Sequence, residues 1–166
     1  MDTLRTDRLL LRPVGAADGP FVVKGLNDLA VARWLAVVPY PYAAADFDEF
    51  LGGLAPAGQV WAIEEAGDFR GIVSIAAGKL GYWLMPDAHG RGLMTEAARA
   101  VLQAWFASGA DSAQSGYFAG NAPSARVLTK LGFREAARDQ VFCRPLGQVL
   151  PHVAMHLPRA AFAAAG

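Results

Sequence analysis

Residues 81–97 read Gly81-Tyr82-Trp83-Leu84-Met85-Pro86-Asp87-Ala88-His89-Gly90-Arg91-Gly92-Leu93-Met94-Thr95-Glu96-Ala97. The pattern predicts a strand from Gly81 to Met85, a tight turn at Pro86-Asp87, and a glycine loop that opens a helix. Gly90 and Gly92 carry no Cβ, so the loop can bend sharply and turn its N–H groups toward one point. The helix that follows adds N–H groups without intrahelical partners and the positive end of its dipole. A corner built this way binds an anion, most often a phosphate.

The phosphate is not that of a mononucleotide held by a P-loop, because the loop has no Gly-Lys-Ser/Thr. A dinucleotide fingerprint asks for Gly or Ala where Thr95 stands, and no strand near the amino terminus offers the usual βαβ setting. A second segment narrows the choice: Asn121-Ala122-Pro123-Ser124-Ala125-Arg126-Val127-Leu128-Thr129-Lys130-Leu131-Gly132-Phe133. Asn121 can cap a helix and Pro123 suits its first turn. Val127, Leu128 and Leu131 form one apolar face, and Gly132 stops the helix.

Together these segments resemble the GNAT superfamily of acyl-CoA-dependent N-acetyltransferases. The glycine loop is similar to its pyrophosphate motif, and Asn-x-x-Ser followed by Lys-Leu-Gly-Phe to its second cofactor motif. Leu4-Arg5-Thr6-Asp7-Arg8-Leu9-Leu10-Leu11-Arg12-Pro13, and Pro39-Tyr40-Pro41-Tyr42 before a Phe helix flanked by Asp and Glu, resemble the branch that acetylates ribosomal-protein amino termini. The resemblance covers roughly residues 4–160. It departs at His89, where the family usually has Arg or Gln, and at Met94, where it usually has Gly or Ala.

The 166 residues suit one domain, 1–166, large enough to bury a sizeable core. Fifteen basic and fifteen acidic residues balance to zero, which argues against broad attraction to nucleic acid. No apolar run is long enough to span a bilayer, and the amino terminus lacks a signal-peptide stretch, so a cytoplasmic protein is expected. Cys143 is the only cysteine and sits in a strand-like run, where it reads as a buried thiol. His152 and His156 are four apart on an expected strand, roughly 13 Å, too far for one metal; no metal site is expected.

Strands are expected at about Arg8–Pro13, Gln59–Glu64, Phe69–Ala76, Lys79–Met85 and Ala113–Phe118, with a last hairpin of Glu135–Cys143 and Val149–Leu157. Helices are expected at about Ala17–Leu26, Ala44–Leu54 and Gly92–Ser108, with Val31–Ala43 as a folded loop over the cleft. That order predicts an α/β fold: a mixed, mostly antiparallel sheet of about seven strands flanked by helices. The resemblance implies that the strand before the glycine loop and the strand before Asn121 splay apart, leaving a cleft for coenzyme A.

Acetyl transfer needs a positioned donor, a neutral amine and a hydrogen bond to the oxyanion. The amides of Arg91, Gly92, Leu93, Met94 and Thr95, in a loop that starts at His89 and Gly90, are expected to cradle the pyrophosphate. Tyr82, Trp83 and Leu84 supply a strand edge for the extended pantetheine arm, and the resemblance implies that an N–H near Leu84 polarises the thioester carbonyl. Asn121 would bond the pantetheine amides, or cap its helix, or both. Arg126 and Lys130 lie one turn apart and can face the nucleotide phosphate, with Arg91 and Arg99 as further candidates.

Ser124 is the candidate to hydrogen-bond the departing sulfur. No base is assigned; Glu64, Glu65 and Asp87 are the carboxylates that can reach through water. Trp34, Tyr40, Tyr42 and Trp61, with the final hairpin loop, are expected to line the acceptor pocket, or some of them to be ordinary core material. The acceptor is a protein amino terminus or a small-molecule amine, and a homodimer is possible on the resemblance. The competing reading is a catalytically silent acyl-CoA-binding or sensor domain.

Overall fold

The computed structural model describes residues 2–53, 55 and 59–165. Eight strands form one sheet: β1 (Leu4–Arg5), β2 (Leu9–Pro13), β3 (Gln59–Glu65), β4 (Asp68–Ala76), β5 (Lys79–Leu84), β6 (Ser112–Phe118), β7 (Arg134–Cys143) and β8 (Gln148–Pro158). Their order is β1-β2-β3-β4-β5-β6-β8-β7. Every neighbouring pair is antiparallel except β5 and β6. Among the described residues six helices accompany it: α1 (Gly19–Leu26), α2 (Leu29–Ala32), α3 (Ala44–Gly52), α4 (Leu93–Ala107), α5 (Ala122–Lys130) and α6 (Arg159–Ala164).

The helical period places Leu93, Met94, Ala97, Ala98, Val101, Leu102 and Phe106 on the buried side of α4. They meet Leu9, Leu11, Ile63, Val73, Leu80, Leu84, Val153 and Leu157 in the main core on one face of the sheet. A second cluster under α1 and α3 covers the other face of β3–β5, through Val22, Leu26, Phe47, Val60 and Ile72. Asp18 fastens this layer to the sheet. It is 1% exposed and accepts two hydrogen bonds from Arg12 and one from the Gly15 amide. The Asp18 bond pushes the Arg12 guanidinium further up from its ordinary range, against burial and with help from Glu64.

Three elements differ from expectation. The eighth strand is β1, only two residues long and therefore without a legible period. Val31 and Ala32 are not loop but the end of α2, whose Asp28 cap accepts the Ala30 amide. A helix not expected, α6, follows Pro158 and packs Phe162 on Phe106. α1 starts two residues later than expected, after a single 3-10 turn at Ala16–Asp18. The expected end of the third helix at Leu54 lies outside the described residues.

Candidate active site

β5 and β6 share one register pair, Lys79 with Gln114. The Gln114 amide donates to Gly78 O at 2.8 Å, and one step further a side chain replaces the ladder: Ser115 Oγ donates to Leu80 O at 3.0 Å. Beyond that point the strands part. On β5, Gly81, Trp83 and Met85 turn their main-chain groups to β4, as the Met85 amide bond to Arg70 O shows. Period two then turns Tyr82 and Leu84 toward the opening. Ser115 occupies Leu80 O, and His89 Nε2 donates to Leu84 O at 3.0 Å. The Leu84 N–H and both main-chain groups of Tyr82 have no partner among the described residues.

The same period corrects the reading of Trp83. Its main chain is paired with Ile72, and its indole lies on the far face against Phe69, 6.0 Å between centroids. It does not line the opening.

At the top of β5, the turn Pro86–Ala88 leads into the glycine loop. Gly90 and Gly92 have φ of 72° and 77°, and Gly92 is the cap residue of α4. No described residue accepts the N–H groups of Gly90 through Thr95. Leu93 is 0% exposed and Met94 5%, because both send side chains into the core. The amides without an acceptor among the described residues therefore include the whole expected run, Arg91 to Thr95, with Gly90 before it.

Arg91 turns its charge to Glu65, while its amide has no acceptor among the described residues. Its guanidinium makes two bonds to Glu65, 2.8 and 2.6 Å, and its carbonyl accepts from Arg8. These bonds hold the Glu65 carboxyl below the ordinary carboxylate range. Arg70 joins the cluster, reaching Glu65 at 3.2 Å and Asp87 at 3.1 Å. Arg8, which the sequence reading did not single out, ties the amino terminus to the loop through Glu96. Burial pulls the Glu96 carboxyl up, but bonds from Thr6 and Arg8 outweigh it and leave it below its ordinary range. His89 Nε2 likewise holds the loop to the Leu84 carbonyl.

Across the opening, Asn121 does what a cap does: its Oδ1 accepts the Ser124 amide at 3.3 Å. Its Nδ2 has no partner among the described residues and is available to a ligand carbonyl. Ser124 Oγ meets the Tyr82 hydroxyl at 2.9 Å, so this hydroxyl pair bridges β5 and α5 beside the cleft. Burial pushes the Tyr82 phenol up to about 12, against a lowering by the Ser124 bond. Arg126 and Lys130 are exposed on α5, and their side chains bond no described residue. Arg99 is committed to the carbonyls of Ala165 and Lys130.

The acceptor residues divide. Trp61 is 2% exposed and donates its Nε1 to Asp2 O, so it is core. Tyr42 is 6% exposed, with its main chain held on both sides by the Asn27 amide group. Both positions fall in packed layers that strand and helix contacts create. Tyr40 is exposed, and Trp34 lies beside the turn that follows β6, near Gly120. The loop carrying Trp34 is pinned to the hairpin tip: the Arg144 amide donates to Ala36 O, and the buried Cys143 thiol to Arg33 O. None of the three carboxylates considered as bases is free, since Glu64 is held by Arg12, Glu65 by Arg91 and Arg70, and Asp87 by Arg70. A hollow of about 380 Å³ beside Gly78, Trp105 and Gln114 sits at the closed end of the β5–β6 opening, away from these groups.

The family profile for the acetyltransferase (GNAT) domain matches residues 8–134. The chain belongs to this family. GNAT acetyltransferases use acetyl-CoA, and this chain is an N-acetyltransferase with that donor. Among curated proteins no sequence matches.

Solved structures match over nearly the whole GNAT chain. Ribosomal-protein-S5-alanine acetyltransferase from Vibrio fischeri superposes with a TM-score of 0.81 at 17% identity, covering 95% of this chain and 97% of that one. Mycobacterium smegmatis RimJ, in complex with CoA-disulfide, gives 0.79 at 21%, covering 92% and 82%. Spermidine N-acetyltransferase from Vibrio cholerae, in complex with CoA and spermine, gives 0.81 at 15%, covering 95% and 99%. At these identities the likeness is one of fold. Among the described residues no helix is long and apolar enough to cross a membrane.

Proposed function

We propose that this enzyme moves an acetyl group from acetyl-CoA to a primary amine by direct attack within a ternary complex. The amine is a protein amino terminus or a small molecule. One observation carries the reading: the unpaired edge at Tyr82 and Leu84 lies between an amide cradle and a hydroxyl pair. Acetyl-CoA supplies the activated acyl group as a thioester. Gly90, Arg91, Gly92, Leu93, Met94 and Thr95 offer amides to its diphosphate. Tyr82 and Asn121 offer groups to the amides of its arm, and Arg126 and Lys130 offer charge to its nucleotide phosphate. The Leu84 N–H is placed to stabilise negative charge on the carbonyl oxygen, and Ser124 to donate to the sulfur.

Two of the fold neighbours are named for ribosomal-protein and spermidine acetylation, which supplies the acceptors to try. The test pairs calorimetric titration with coenzyme A and a thiol-release assay over an alanine-initiated peptide and spermidine. Tight binding with amine-dependent thiol release is expected. Binding without release from any amine would favour the sensor reading instead. We further propose a cytoplasmic enzyme, paired as a homodimer through the exposed apolar hairpin tip at Phe142 and Val149.

A further inference from the structure

The acceptor amine arrives protonated, and the three carboxylates near the strand ends are held by arginines. A different group stands near the closed end of the cleft. On β8, Val153, Met155 and Leu157 point into the main core. His152, Ala154 and His156 therefore point to the opposite face. The helices packed most closely on β6 and β8, α5 and α6, lie on the core face, so His152 stands on the side of the two strands away from them.

His152 lies over Gly116. A Cβ built on Gly116 would fall 2.5 Å from both Cε1 and Nε2 of the ring, so only glycine leaves room for it. Gly116 is two residues beyond Gln114, the last residue of β6 paired with β5, and its main chain faces the opening. The imidazole thus stands level with the Gly81–Tyr82 part of the free edge. Its Nδ1 is 2.8 Å from Asp139 Oδ1. A carboxylate only accepts, so Nδ1 carries a proton, and in the neutral ring Nε2 presents a lone pair. The Phe118 ring meets the imidazole edge-on, with centroids 5.7 Å apart. The side chain is 16% exposed, sheltered but reachable.

We propose that His152 is the general base of the reaction and that Asp139 is its positioning residue. This rests on the acetyl-transfer reading above. The ammonium gives one proton to Nε2, and the neutral nitrogen then bonds to the thioester carbon. The carbon–sulfur bond breaks, the sulfur leaves with its electron pair and takes up a proton, and the new amide nitrogen loses its second proton. One proton is released to water overall, from Nε2. Few charges compete at the ring. Asp139 is its partner on β7, while Arg138 faces the other side and pairs with Glu135. His156 is four residues along β8, and Arg33, in the loop over the hairpin, stacks on Trp34.

The test compares wild type, His152→Gln and Asp139→Asn, using whichever of the alanine-initiated peptide and spermidine the wild type acetylates. Near pH 7, His152→Gln is expected to lower kcat/KM about 100-fold, and Asp139→Asn about tenfold. Above the amine pKa the His152→Gln defect should shrink below about tenfold, since the base is then dispensable. Coenzyme A affinity by calorimetry should hold within about twofold. Nitrogen NMR of the free wild type should show His152 as the Nδ1-protonated tautomer, a readout independent of turnover and of variant folding. An Nε2-protonated ring overturns the proposal, as does an equal rate loss at every pH or a rate unchanged at pH 7. Wild-type turnover with any of these results sinks the dyad alone; absence of wild-type turnover sinks the acetyl-transfer reading and the dyad with it.

Discussion

Ser124 shows how far one residue's role depends on its neighbour. In the first turn of a helix a serine hydroxyl usually serves the backbone. Here Asn121 takes the cap, and the hydroxyl is left to pair with Tyr82. With its phenol pushed up to about 12, Tyr82 stays protonated across the neutral range and can donate to Ser124 Oγ. The Ser124 proton is then free for the departing sulfur. A free thiol has a pKa of about 8.5, so a thiolate leaves near neutral pH without a strong acid. Ser124→Ala is therefore expected to lower kcat only about three- to tenfold, with KM for acetyl-CoA nearly unchanged. Tyr82→Phe should act alike, and the double variant should be little worse than the more affected single one. Steady-state kinetics check both; complete loss of turnover in Ser124→Ala with intact cofactor binding would contradict the assignment.

At the scale of elements, the junction of β5, glycine loop and α4 was legible, because left-handed backbone, helix start and apolar period are all local signals. Gly92 caps α4 at φ 77°, and a Cβ there would find its nearest contact 3.7 Å away at Arg8. The cost of Gly92→Ala is thus conformational rather than steric, about 1–2 kcal/mol. It should appear as a lower Tm. Coenzyme A affinity should fall about tenfold as the loop relaxes and its amides diverge, about 1.4 kcal/mol by calorimetry. The elements that escaped reading are short. β1 has two residues and α2 four, and both exist because they dock on longer neighbours. Trp61 and Tyr42 read as either pocket or core for a related reason, and the structure places both in packed layers. An aromatic in a strand or a loop looks the same in sequence whether the layer above it is a helix or solvent.

For the whole molecule, burial sets the alkaline limit. Burial, with a smaller push from Asp46, raises the Tyr42 phenol to about 12, and burial raises Tyr82 likewise. Unfolded tyrosines titrate near 10 (about the ordinary phenol value). Between pH 10 and 12 the folded chain keeps protons that the unfolded chain loses, so stability is intact below pH 10 and falls across that window. Thermal melts at successive pH values should show the decline, and it should flatten in Tyr42→Phe with Tyr82→Phe.

By itself the sequence determined the anion corner, the cap and stop of α5, the periods that assign most strands and helices, and through them the family. Each of these is carried by residues within a turn or two of one another. Tertiary structure alone decided which strand edge stays open, since that depends on Ser115 reaching Leu80 from another strand. It also decided which arginines are spent on Glu64, Glu65 and Asp87, and which histidine overhangs a glycine at the cleft. These depend on pairing across the sheet, where a side chain's neighbours come from distant parts of the chain and its face is set by a register that no single segment encodes.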